Sequence, residues 1–164
     1  MGSKNKLKKF NENLNFQNLF QPVRDDILKS NFKFKGRWND YFENSNPITL
    51  ELGCGKGEYS FELAKKYHNR NFIGIDIKGA RIWTGAKKST NLKLKNICFI
   101  RTNIDLIGNL FSDSEIDEIW ITFPDPQIKI QRKKHRLINE FYFGLYKRIL
   151  KKDGVIHLKT DSEF

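Results

Sequence analysis

Residues 48–67 constrain the fold more than any other stretch of this chain. Ile48-Thr49-Leu50-Glu51-Leu52 is a short apolar run of β type, and Gly53, Gly55 and Gly57 follow it at once. From Glu58 to Tyr67 the period changes, with Tyr59, Leu63 and Tyr67 recurring at helical spacing and Phe61 and Ala64 beside them. A strand that runs through a glycine loop straight into a helix predicts the first half of a β-α-β unit.

The rest of the chain repeats the alternation. Asn71-Phe72-Ile73-Gly74-Ile75 predicts a strand ending at Asp76, and a helix over 80–89 buries Ile82, Trp83 and Ala86. A third strand over 97–100 leads into Thr102-Asn103, and a fourth over 118–122 follows the acidic turn 113–117. Residues 137–150 predict an amphipathic helix with Ile138, Phe141, Tyr142, Leu145 and Ile149 on one face. Its end carries Lys147, Arg148, Lys151 and Lys152, and Asp153-Gly154 closes it. A last strand over 155–158 runs into Lys159-Thr160-Asp161. Strands and helices in alternation require parallel strands joined by right-handed crossovers, so the expected fold is α/β, a doubly wound, mainly parallel Rossmann-like sheet. Such sheets bind ligands outside the carboxyl ends of their strands. Gly53 to Gly57, Asp76, Asn103, Asp125 and Asp161 all fall at that edge.

Ahead of this domain, taken as residues 47–164, lies a basic and aromatic arm and lead-in, residues 1–46. Lys4, Lys6, Lys8 and Lys9 are followed by Phe10, Phe16, Leu19 and Phe20 among Asn and Gln, and a short helix is expected near Arg24 to Leu28. Basic residues among aromatics suit phosphate contact with base stacking, but the same aromatics suit docking of the arm onto the domain.

The loop spacing is G-x-G-x-G, in contrast to the G-x-G-x-x-G of dinucleotide-binding folds. An acid at the end of the next strand, Asp76, is placed to accept from both ribose hydroxyls of an adenosine. Glu51 ahead of the loop argues against a pyrophosphate and for S-adenosylmethionine, whose aminoacyl end carries an ammonium. Asn103 is read either as a hydrogen-bond partner for the adenine edge or as a helix N-cap.

Phe123-Pro124-Asp125-Pro126 follows the fourth strand. Two prolines leave a carboxylate little backbone freedom, which points to a positioned acid, although Pro and Asp also make ordinary strand-ending turns. Lys129, Arg132, Lys133, Lys134, His135 and Arg136 come next. Cations crowded ahead of a helix are unfavourable there unless anions are bound, so the run is read as a phosphate-contacting segment. The whole chain of 164 residues carries 30 Lys and Arg against 19 Asp and Glu, a formal charge of +11 that fits a polyanionic partner. Cys54 and Cys98 have no Cys or His at metal-ligand spacing, so no metal site or disulfide framework is expected. No apolar run has the length of a membrane span, and the cytoplasm is the expected location.

Taken together, Glu51-Leu-Gly-Cys-Gly-Lys-Gly-Glu58, Phe72-Ile-Gly-Ile-Asp76, Phe123-Pro-Asp-Pro126 with Lys129 and the basic run, and Thr160-Asp161 resemble the bacterial tRNA (guanine-N7-)-methyltransferases. Phe16-Gln-Asn-Leu-Phe-Gln-Pro22 is similar to the lead-in of one branch of that family. The resemblance covers about Phe10 to Asp161. It implies a seven-stranded methyltransferase fold whose last strands lie beyond Phe164. It also implies S-adenosylmethionine bound by Glu51, Gly53, Gly55, Asp76, Asn103 and Asp125, and methyl transfer to N7 of a variable-loop guanine in tRNA. Asp125 is then the active-site acid and Lys129 and Asp161 contact the RNA, while Arg132 and Arg136 join them as substrate-binding residues through the reading of the basic run. Asn103 stands where the family usually has Asp, and Gln127 and Ile128 where Trp and His are common. A methyltransferase for another substrate and an RNA-binding module without turnover are the alternative readings.

Overall fold

The apolar runs become parallel strands of one six-stranded sheet with the order β1-β4-β3-β2-β5-β6. The computed structural model describes residues 3–124 and 136–161. Its strands are β1 (Leu19–Phe20), β2 (Ile48–Leu52), β3 (Asn71–Asp76), β4 (Ile97–Arg101), β5 (Ile116–Thr122) and β6 (Leu150–Lys159). Chain order runs outward from β2 through β3 to β4 on one side, and through β5 to β6 on the other. The direction reverses between β2 and β5, the position where doubly wound sheets open a crevice.

The helices are α1 (Ser3–Asn13), α2 (Arg24–Ser30), α3 (Trp38–Phe42), α4 (Glu58–Lys66), α5 (Gly79–Asn91), α6 (Ile107–Leu110) and α7 (Glu140–Ile149), with a 3-10 turn at Ile104–Leu106. They cover both sheet faces, which explains why all five residues of β2 are buried. Leu50, Leu52, Ile73, Ile75, Ile119 and Ile121 pack with Trp38, Ile107, Leu110, Tyr146 and Ile149 on one face. Phe72, Ile97 and Phe99 pack with Phe61, Ala64, Ile82 and Ala86 on the other.

Residues of the lead-in join these layers. Leu19 and Phe20 pair with Phe99 and Ile100 as an edge strand. Trp38 is fully buried and donates its indole N–H to the Leu110 carbonyl at 3.0 Å. The aromatics of the arm serve docking: Phe16 packs against the second core layer, while Phe20 meets Phe32, Phe34, Trp38 and Tyr41 edge-on.

Two expectations change at the carboxyl end of the chain. The helix spans Glu140–Ile149 in place of 137–150, capped by Asn139, whose side chain accepts from the Tyr142 N–H. Its inward stripe is the buried Tyr146 and Ile149 with the partly buried Tyr142 and Leu145, whereas Ile138 and Phe141 are 39% and 60% exposed. Leu150 to Lys159 form one strand, so Asp153 and Gly154 lie inside β6 and close no helix. The longer strand follows from pairing, since Leu150 aligns with Ile116 and Val155 with Glu118 across a register shift. Among the described residues no helix is long and apolar enough to cross a membrane.

Candidate functional site

Backbone geometry fixes the glycine loop. Gly53, Gly55 and Gly57 all have positive φ, at 72°, 57° and 71°, a region that L side chains enter only at a cost. The N–H groups of Gly53 and Cys54 both donate to the Ile75 carbonyl at 2.8 and 2.9 Å, folding the loop over the end of β3. Gly57 admits no side chain, because a Cβ there would stand 2.5 Å from Phe99 Cε1.

Asp76 closes the arrangement from the neighbouring strand. Its Oδ2 accepts from the Gly55 N–H at 2.9 Å and its Oδ1 from the Lys78 N–H at 2.7 Å. A carboxylate has about four acceptor positions, so lone pairs remain on both oxygens. Beyond it lies a cavity of about 350 Å³ lined by Gly53, Asp76, Ile77, Asn103, Ile104 and Tyr142, together with Thr102, Asp105 and Leu137. Asn103 occupies the N-cap position of the 3-10 turn, yet its side chain makes no capping hydrogen bond. The capping reading of this residue is therefore not realised, and its amide borders the cavity.

Glu51 sits under the loop and does not line that cavity. Only 2% of it is exposed. It accepts from the Ser60 N–H at 3.2 Å and from the Ser60 hydroxyl, and from the Thr122 hydroxyl at 2.7 Å. Burial pushes its carboxyl above the usual carboxylate range, against the lowering effect of the Ser60 and Thr122 hydrogen bonds, and the charge of Asp76 adds to the rise. The same carboxylate thus ties the first turn of α4 to the end of β5.

Just past that end, Phe123 has a φ of 48°, uncommon for a residue other than glycine and more so before a proline. Its N–H donates to the Lys159 carbonyl at 2.7 Å, joining the ends of β5 and β6 where the chain enters Pro124. Asp125, Lys129 and Arg132 lie outside the described residues. Arg136 is half-buried and directly precedes Leu137 of the cavity wall, and Asp161 is exposed beyond the end of β6. Among the described residues no three His, Cys, Asp or Glu side chains group as a metal site.

Sequence reasoning missed Leu137 and Tyr142 as cavity residues. The Tyr146 hydroxyl donates to the Leu137 carbonyl at 2.8 Å, and the first turn of α7 brings Tyr142 against the Asp105 side of the cavity. Burial, then the charge of Asp105, raises the Tyr142 phenol above its ordinary value. Tyr142 was visible only as one more apolar position of a helix.

A parallel sheet of this order, with a glycine loop after its central strand and an acid ending the next, defines a Rossmann-like fold of the class I methyltransferase type. The crystal structure of the 30S ribosomal A1408 methyltransferase from an uncultured bacterium shares it, with a TM-score of 0.58 at 21% identity over 75% of this chain and 58% of that one. The family model described as "Putative methyltransferase" matches residues 45–164. A tRNA (guanine-N(7)-)-methyltransferase of Christiangramia forsetii is 58% identical over 100% of this chain and 74% of its own length. One of Bacteroides fragilis is 45% identical over 98% of this chain and 64% of its own length, so the chain spans roughly two thirds to three quarters of these two relatives. The chain belongs to the tRNA (guanine-N(7)-)-methyltransferase family.

Proposed function

We propose that this chain transfers the methyl group of S-adenosylmethionine to N7 of a guanine in tRNA. The observation that carries the reading is the cavity at the carboxyl ends of β2, β3 and β4, bounded by the glycine loop and by an Asp76 that keeps free lone pairs. Those groups fit an adenosine. Asp76 accepts from the ribose hydroxyls, the Asn103 amide meets the adenine edge, and Gly53 and Gly55 allow close approach of the aminoacyl end. Glu51, buried beneath the loop, supplies negative charge on the side where an ammonium would lie. The curated relatives bearing the tRNA (guanine-N(7)-)-methyltransferase name support the choice of substrate, as does the net charge of +11. tRNA places the work in the cytoplasm.

When bound, S-adenosylmethionine supplies an electrophilic methyl on a sulfonium. Guanine N7 already holds a free lone pair, so the protein has no proton to remove and acts by positioning and electrostatics. Asp125 accepts from the guanine N1–H and exocyclic amine and offsets the positive charge gained by the alkylated ring. Lys129, Arg132 and Arg136 hold phosphates without reading sequence, and Asp161 contacts the RNA from the end of β6.

The test is restoration of 7-methylguanosine in the tRNA of a bacterium deleted for its own enzyme, read by nucleoside mass spectrometry. The modified nucleoside should reappear with this chain and not with its Asp125→Asn variant. Its absence from cells that contain the folded wild-type chain would overturn the assignment.

A further inference from the structure

The turn that follows Asp76 is held by side chains from the end of β4 and from the N-terminal arm. Two of its carbonyls, those of Ile77 and Gly79, accept from side chains that belong to other parts of the chain. Arg101 Nε donates to the Ile77 carbonyl at 3.2 Å, and Asn13 Nδ2 of α1 donates to the Gly79 carbonyl at 2.9 Å. Arg101 is itself fixed twice by the lead-in: its Nη1 donates to Gln21 Oε1 at 3.2 Å, and its guanidinium lies 5.1 Å from the centroid of the Phe10 ring. The packing is close enough to need a glycine, since a Cβ on Gly79 would meet Arg101 Nε and Phe10 Cε1, each at 2.9 Å.

This contact stands next to the cavity. Arg101 is the register partner of Asp76, and the Thr102 N–H following it donates to the Asp76 carbonyl at 3.1 Å. Ile77 lines the cavity, and Lys78 supplies the N–H that orients Asp76 Oδ1. Whatever fixes the Ile77 carbonyl therefore fixes both the apolar wall given by Ile77 and the rotation of the carboxylate beside it.

We infer that Arg101 is a positioning residue for the cofactor, a latch by which the docked N-terminal arm, through Phe10 and Gln21, holds the Asp76–Gly79 turn in its ligand-binding geometry. The inference rests on the reading of this cavity as the S-adenosylmethionine site. A guanidinium suits the task because its planar fork reaches Ile77 with one nitrogen and Gln21 with another while its face stays on an aromatic ring. The arm then contributes to cofactor affinity without touching the cofactor.

The experiment is calorimetric titration of S-adenosylhomocysteine into the wild-type chain, Arg101→Gln, Phe10→Ala and the double variant, at a temperature where circular dichroism shows all four folded. Arg101→Gln should weaken binding about tenfold, the scale of one lost charged hydrogen bond. Phe10→Ala should weaken it severalfold, and the double variant should bind more tightly than the product of the two losses predicts. A stabilising role alone would lower the thermal midpoint and leave affinity in the folded state unchanged. Wild-type binding with an equal affinity in Arg101→Gln overturns the latch and leaves the cofactor reading standing. Fully multiplicative losses overturn the link from Phe10 through Arg101. Absence of binding by the wild type overturns the cofactor reading and the latch together.

Discussion

The Thr122 hydroxyl donates to the buried carboxylate of Glu51 at 2.7 Å, so the last residue of β5 is tied to the strand that carries the glycine loop. Because burial raises the Glu51 carboxyl in the folded protein, the folded state holds this proton to higher pH than the unfolded one. The stabilisation is complete below the ordinary glutamate value, about 4.3, and is lost as pH rises through the raised folded value. Glutamine keeps the shape, can accept from Ser60 and can donate to the Thr122 hydroxyl, but does not ionise. Chemical denaturation at pH 4 and at pH 7 should show Glu51→Gln gaining on the wild type as pH rises. A pH-independent difference would contradict the account.

Asp76 leaves less room for an isosteric change. Both of its oxygens accept from backbone N–H groups, so Asp76→Asn must turn its own NH2 toward Gly55 or Lys78. Leaving a donor against a donor costs about 1–3 kcal/mol. Calorimetry should find S-adenosylhomocysteine bound at least tenfold more weakly, with a lowered thermal midpoint. Unchanged affinity would remove Asp76 from the site.

Two neighbouring glycines should respond differently to the same change. Gly55→Ala meets nothing within 4 Å and carries only the backbone penalty of its positive φ, about 1–2 kcal/mol. Gly57→Ala carries that penalty and also drives a methyl into Phe99, adding about 1–3 kcal/mol. Denaturant midpoints for the two variants compare them directly, and equal losses would contradict the packing described for Phe99.

Asn103 separates binding from stability. Its side chain makes no capping bond, so Asn103→Ala should change folding stability by less than about 0.5 kcal/mol. S-adenosylhomocysteine affinity should fall severalfold, and Asn103→Asp should raise it by offering a charged acceptor to the adenine amine. A large stability loss in Asn103→Ala would restore the capping role.

The central unit was legible because each of its constraints is local. Five residues of β type, three glycines and a change to helical period follow one another, and the structure has β2, the loop and α4 in those places. Asp76 and Asn103 could be placed because a parallel sheet gathers the ends of its strands. The arm was ambiguous because Leu19 and Phe20 make a strand of only two residues, recognisable by its pairing with β4 and not by any period. Tyr142, Leu145 and Ile149 were legible as the inward face of α7, but Phe141 is as apolar as Tyr146, and only the sheet beneath decides which of the two is covered. Lys151, Lys152 and Asp153 look like a helix end, yet they extend β6, with Lys151 Nζ 2.9 Å from Asp117. Leu137 and Tyr142 reach the cavity through a crossover, which carries no signature in composition or spacing.

The claim that N7 is the acceptor can be met with a single substitution in the substrate. A tRNA transcript made with 7-deazaguanosine replaces N7 by a carbon that has no lone pair and leaves the Watson–Crick edge intact. Transfer of radiolabelled methyl groups should occur to the guanosine transcript and be absent from the 7-deaza transcript, while both bind the protein with similar affinity. Equal transfer to the two transcripts, or transfer to neither, would contradict the account.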